Sequence, residues 1–185
     1  MNKGRLVVIS APSGAGKTTI CRRLQQASAE WRFSVSGTTR PQRPTEVDGV
    51  DYHFMDDDTF DRLVAQGDFI EWEWVHGHRY GTTRASLDTA LAEGRTLLLD
   101  VDVKGGVAIM QRYPEQSIGI FINPPNEAVL AERLKARGTD SAVGMARRLE
   151  RLPEEMAYKQ EFDYVVVNDD LETAINQIET ILRGE

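Results

Sequence analysis

Cysteine is nearly absent from this chain: Cys21 is the only one in 185 residues. A single thiol excludes an internal disulfide, which suits a reducing cytoplasm. Its expected state is a buried, inert thiol on the first helix. Long apolar runs are missing as well. None approaches the ~20 residues that a membrane span needs, so no membrane partner is expected. Residues 1–5 lead straight into an apolar stretch, so no secretory signal is expected and the location read from the sequence is cytoplasmic. Positive charge is in the minority, with 22 Lys and Arg against 29 Asp and Glu and a formal net charge of −7. That balance argues against nucleic acid as a partner. An anionic substrate must then be held by local arginines working against the overall field. Repeats, low-complexity tracts and linkers are also lacking, and the length suits one sizeable core rather than two domains.

The most informative feature present is the run Ala11-Pro12-Ser13-Gly14-Ala15-Gly16-Lys17-Thr18-Thr19, which follows the apolar stretch Leu6-Val7-Val8-Ile9. It reads as strand, glycine loop and helix start, the layout of a phosphate cradle. Gly14 and Gly16 allow backbone conformations closed to other residues, so several N–H groups can point at one anion. The helix opening near Lys17 adds its positive end. Lys17 can reach β- and γ-phosphates, and the Thr18 hydroxyl can ligate Mg²⁺. The pattern calls for glycine where this chain has Ala11, a departure of one methyl group.

Residues 5–10 read as a buried strand, and 16–28 as a helix with Ile20 and Leu24 on one side. Residues 33–36 alternate as another strand, and 37–50 form an irregular loop rich in Gly, Pro, Thr and Arg. Asp56-Asp57-Asp58-Thr59 reads as a helix cap and first turn. Residues 70–75 alternate, placing Glu71 and Glu73 on one face and Trp72 and Trp74 on the other. A helix over 86–92 stops at Gly94. Residues 96–100, 117–122 and 164–167 read as buried strands, and 126–137, 141–158 and 170–183 as helices. This alternation predicts a three-layer α/β fold, a parallel sheet with helices on both faces. The segment 35–84 interrupts it, like an insert that carries a second binding site.

Within that insert, Arg40 and Arg43 stand three apart on a loop and can clamp one phosphate with planar two-pronged donors. The Tyr52 and Tyr80 hydroxyls can complete the cage. Asp100 and Asp102 sit at i, i+2 at the carboxyl end of a buried strand, where ligands bind in open α/β sheets. In phosphate-loop enzymes an acid at such a strand end orients Mg²⁺.

The stretches SAPSGAGKTT, SVSGTTRPQRP, DGVDYHF, GDFIEWEWVHGHRYGTT, LLLDVDVKGG, ERLKARGTDS and VVVNDDL span essentially the whole chain. In them the chain resembles the guanylate kinases, which phosphorylate GMP from ATP. The resemblance implies a single domain: a phosphate-loop NTPase core at 1–34, 85–126 and 157–185, a GMP-binding region at 35–84 and a helical lid at 127–156. It implies that Arg40, Arg43, Tyr52 and Tyr80 hold the GMP phosphate. Ser36, Glu71 and Asp102 would read or orient the nucleoside, with Gly81 and Thr82 beside them. Thr82 stands where family members often carry serine and keeps the hydroxyl. On the donor side, residues Ala11 to Thr19 would hold ATP, with Arg133, Asn168 and Asp169. Thr18 and Asp100 would serve Mg²⁺. Lys17, Arg43, Arg137 and Arg148 would be catalytic, the last two arriving with the lid. A solvated charged helix face explains Arg133 and Arg137 equally well on spacing alone.

Chemistry supports the guanine assignment. Guanine offers N1–H and N2–H₂ as donors and O6 as an acceptor. A buried carboxylate such as Glu71 takes both donors, and Ser36 can donate to O6. Adenine presents a lone pair at N1, which a carboxylate repels. The resulting expectation is transfer of the γ-phosphoryl group of ATP to GMP, and to dGMP, by a monomer or weak homo-oligomer. Two alternatives remain open at this level: a non-catalytic phosphopeptide-binding module of the same fold, and a related sugar-phosphate kinase.

Overall fold

The apolar run Leu6-Val7-Val8-Ile9 has no polar face to offer water, so it is stable only as a strand covered on both sides. In the computed structural model it is the central strand. The structure describes residues 4–28, 30–44, 46–75, 77–136 and 142–184, with backbone alone at 134–136 and 142–148. Five parallel strands form the main sheet: β1 (Arg5–Ser10), β2 (Trp31–Phe33), β7 (Thr96–Asp100), β8 (Ser117–Asn123) and β9 (Tyr164–Val167). Their order is β2-β7-β1-β8-β9.

Because successive residues of a strand point to opposite faces, β1 feeds two cores. Val7 and Ile9 pack with Ile20, Cys21 and Leu24 of α1 (Lys17–Ala27) and Ile175 and Ile178 of α7 (Leu171–Arg183). Leu130 of α5 (Glu127–Ala136) and Leu152 of α6 (Ala142–Ala157) join the same side. Leu6 and Val8 pack with Leu87 and Ala90 of α3 (Arg84–Ala92), Val103 and Ile109 of α4 (Val103–Arg112), and Phe162. The three-layer α/β expectation is met. Cys21 is fully buried, and burial pushes its thiol well above the ordinary range, the condition of an inert sulfur. No helix among the described residues is long and apolar enough to cross a membrane.

The segment expected as an insert forms its own mixed sheet: β3 (Gly37–Thr38), β4 (His53–Phe54), β5 (Phe69–Val75) and β6 (His78–Thr83), in the order β4-β3-β6-β5. The helix α2 (Asp57–Gln66) precedes β5, capped by Asp56, whose carboxylate accepts the Thr59 N–H at 2.8 Å. Two expectations need correction. The strand expected at 33–36 is split: Trp31–Phe33 belongs to the main sheet, Gly37–Thr38 to the insert, and 34–36 connect them. The helix α4 was not anticipated, because Gly105-Gly106 lowers helix propensity by about 1 kcal/mol per residue. Packing overrides this. A Cβ on Gly106 would stand 2.9 Å from Ser10 Oγ and 3.1 Å from Phe162, so only glycine lets α4 lie this close to the sheet.

Candidate active site

The phosphate loop leaves the carboxyl end of β1 and runs into α1. Gly14 and Gly16 hold φ of 92° and 95°, values that favour glycine strongly. Gly16 occupies the cap position of α1 without any side-chain cap, leaving the first-turn amides facing the loop. Asn168, at the end of β9, is buried and donates through Nδ2 to the Ala15 carbonyl at 2.7 Å. A Cβ on Gly16 would strike that same amide. Arg133 Nη1 in turn donates to the Asn168 carbonyl at 3.0 Å. Asn168 thus braces the loop from behind, while Asp169 stands exposed beside it.

Lys17 reaches across to the neighbouring strand end. Its Nζ lies 2.6 Å from Asp100 Oδ1 and 2.5 Å from the Val101 carbonyl. Burial alone would lower its pKa; the adjacent Asp100 more than reverses this, so the ammonium sits above its ordinary value. Thr18 and Thr19 are exposed on the first turn of α1. Ser10 Oγ, buried, lies 2.8 Å from both the Val101 and Asp102 carbonyls and ties the end of β7 to β1.

Asp102 caps α4, its Oδ1 accepting the Gly105 N–H at 2.6 Å. A Cβ on Gly105 would stand 2.8 Å from Glu71 Oε2 and 2.9 Å from Asp102 Oδ1. The two carboxylates therefore converge over one glycine. In the β5/β6 ladder Glu71 faces Thr82 and Glu73 faces Tyr80, so all four side chains share one face. The opposite face carries Trp72, Trp74 and Gly81, with Arg79 stacked over Phe60 and Trp74 and ion-paired to Asp57 and Asp61. Burial pushes the Glu71 carboxyl above its ordinary value, with Thr82 pulling back and the negative Asp102 adding to the rise. Ser36 lies on the connector into β3, half-buried, its carbonyl accepting the His53 N–H.

Arg40 presents a fork to Glu46, with Nη1 and Nη2 donating at 3.0 and 2.7 Å, and its Nε donates to Tyr80 Oη at 3.2 Å. Its guanidinium also sits 5.3 Å from the centroid of the Tyr52 ring, which meets Tyr80 edge to face. Arg43 is different. Its side chain is 70% exposed and only 3.9 Å from Glu46, while its backbone N–H donates to Glu46 at 2.8 Å. The hydrogen bonds from Arg40 and from the Arg43 backbone hold the Glu46 carboxyl below its usual range. Arg40, Tyr52 and Tyr80 are thus assembled, and Arg43 points into solvent. Arg137 lies outside the described residues, as does the side chain of Arg148.

Several residues of this constellation had no sequence signal of their own. Glu46 is one acid among many in the insert, and its role as partner of Arg40 comes only from the loop's turn. Ser10 is an ordinary strand-end serine until the fold brings Asp102 beside it. Gly105 carried a signal, since adjacent glycines in a helix mark a close approach. Glu73 carried one too, by alternating with Glu71. Its carboxyl hydrogen bonds to Asp102, and that bond, with burial second, pushes it up to about 8. A carboxyl raised in the folded state favours the proton-bound fold, so its stabilising effect is complete below the unfolded value of about 4.3 and fades as pH rises towards 8. Glu73→Gln keeps a hydrogen-bond donor without the titration. Its melting temperature is expected to fall less than that of the unaltered chain between pH 6 and pH 9. Parallel melting curves for the two proteins would contradict the raised Glu73 carboxyl.

A sequence model of the family described as Guanylate kinase matches residues 3–185. The guanylate kinase of Anaeromyxobacter dehalogenans is 51% identical over 98% of this chain and 81% of its own length. That of Thermotoga maritima is 43% identical over 99% of this chain and 88% of its own. Among solved structures, guanylate kinase from Anaplasma phagocytophilum superposes with a TM-score of 0.78 at 33% identity, covering all of this chain and 87% of that one. With the family model matching residues 3–185 and relatives 43–51% identical over nearly all of this sequence, the chain belongs to the guanylate kinase family.

Proposed function

We propose that this chain binds ATP on the 11–19 loop and GMP in the 35–84 region, and transfers the γ-phosphoryl group to the GMP phosphate, giving ADP and GDP. The observation that carries the reading is two unlike sets of side chains at neighbouring strand ends. Lys17 and the glycine loop close the end of β1, while Asp100 and Asp102 close the end of β7, and Lys17 bridges the two through Asp100. Glu71 and Asp102, converging over Gly105, give the carboxylate face that a guanine edge with two adjacent donors requires. Arg40, with Tyr52 and Tyr80, forms the acceptor-phosphate cage, and Arg43 is free to swing in from solvent.

Mg²⁺ suits the donors present. Thr18 offers a hydroxyl and Asp100 a carboxylate, the hard oxygens this ion takes, and both stand where the triphosphate would lie. The bound ion would neutralise charge on the β- and γ-oxygens. The protein's own part is to hold two polyanions in line. The acceptor phosphate is already an anionic nucleophile, so no general base is needed. Lys17 and the loop amides hold the donor, Arg40 holds the acceptor, and Arg43, Arg137 and Arg148 spread positive charge over the group in flight. Residues 127–156 act as a lid that excludes water, so that ATP is not simply hydrolysed. The enzyme works in the cytoplasm as a monomer or weak homo-oligomer, with neither nucleic acid nor membrane as partner.

The test is ADP release with GMP, dGMP, AMP, UMP and ribose 5-phosphate in turn. GMP and dGMP are expected to support turnover and the others to give little. No release with GMP would leave a binding module, and preference for the sugar phosphate would leave a different kinase.

A further inference from the structure

The last turn of α6 does something that the transfer reaction does not call for. Glu155 Oε2 accepts the backbone N–H of Ser13 at 3.1 Å. Ser13 is the third residue of the phosphate loop, whose N–H groups exist to hold phosphate oxygens. A carboxylate is thus seated on the cradle built for the donor. The seat is firm. Leu152 is buried in the core, Met156 packs against the same cluster, and Glu154 pairs with Lys104 at 2.8 Å. Pro153 lies inside α6 and cannot donate to the carbonyl four residues back, so this turn is held by those anchors rather than by the full helix ladder. Arg151, Lys17 and Asp102 are the charged groups that bear on Glu155. Burial outweighs the pull of the two cations, and the Glu155 carboxyl sits above its ordinary value. A triphosphate placed on the loop would draw on Lys17 and would face the Glu155 charge directly.

We propose that Glu155 is a positioning residue for donor binding: its carboxylate holds the Ser13 N–H in the nucleotide-free chain, and ATP must displace it. The inference rests on the donor site proposed above. Because Glu155 belongs to α6, its release couples occupancy of the loop to the last turn of that helix, which also carries Glu154, the partner of Lys104. The contact favours the empty chain, so its removal must tighten ATP. A hydrogen bond with one charged partner accounts for roughly a tenfold change in an equilibrium.

The test compares the unaltered chain with Glu155→Ala and Glu155→Gln by calorimetric titration of Mg·ATP, without GMP, and of GMP alone. ATP is expected to bind about five- to tenfold more tightly to Glu155→Ala, with Glu155→Gln between, and GMP binding is expected not to move. A merely structural role would weaken both ligands and lower the melting temperature. ATP affinity that is unchanged or weaker in both variants overturns the proposal. If the unaltered chain itself binds no ATP, the donor-site reading fails instead, and the two failures are thereby told apart.

Discussion

Lys17→Ala is expected to lower GDP formation by on the order of 10³-fold while the fold and GMP binding persist. The structure places this ammonium beside the glycine loop and Asp100, at 2.6 Å from the carboxylate. Phosphoryl transfer gives the protein little covalent work, so loss of a positioned charge acts almost wholly on the barrier. Lys17 is committed to Asp100 and the Val101 carbonyl in the structure. Donor binding must redirect it towards the phosphates, and alanine has nothing to redirect.

The same substitution has a stability cost of a different size. Asp100 is left as a carboxylate with 20% of its side chain exposed and, among the described residues, no other ion pair. The cost of such an orphaned partner is about 1–3 kcal/mol, reduced here by the remaining access to water. The melting temperature should therefore drop by only a few degrees. Steady-state ADP release, a GMP titration and a melting curve separate the two effects. Turnover near that of the unaltered chain, or an activity loss matched by unfolding at the assay temperature, would remove Lys17 from its role.

The parts of the molecule legible in the sequence are those where local pattern and tertiary demand agree. The run Leu6-Val7-Val8-Ile9 and the loop that follows need the same strand, turn and helix that the fold provides, and the glycines at φ above 90° sit where the spacing put them. The alternation of Glu71 and Glu73 against Trp72 and Trp74 survives as the two faces of β5. What the sequence hid is what long-range packing decides. The helix α4 runs through two glycines because Glu71, Asp102, Ser10 and Phe162 crowd its surface. Residues 33–36 alternate like one strand, yet the chain leaves one sheet and enters another there. Arg40 and Arg43 look alike as letters. Only the turn that brings Glu46 back onto Arg40 makes one an ordered fork and leaves the other in water. Asn168 reads as a polar strand end, and its commitment to the Ala15 carbonyl spans 153 positions of chain.

Glu71→Gln is expected to collapse the preference for GMP over AMP, lowering kcat/KM for GMP by about 10²- to 10⁴-fold. A carboxylate accepts from guanine N1–H and N2–H₂ together. The amide can accept from one and turns a donor against the other. Towards adenine the change runs the opposite way, because the new N–H can meet the N1 lone pair that a carboxylate repels. Turnover of AMP should therefore rise or hold while that of GMP falls. Stability gives an independent reading of the same side chain. Burial raises the Glu71 carboxyl in the folded chain, so its ionisation works against the fold as pH climbs. Removing the charge should leave the melting temperature at pH 8 equal or higher, the reverse of what a structural carboxylate would do. A GMP/AMP ratio that does not move, or a loss of GMP activity accompanied by a lower melting temperature, would show that the guanine edge is read elsewhere.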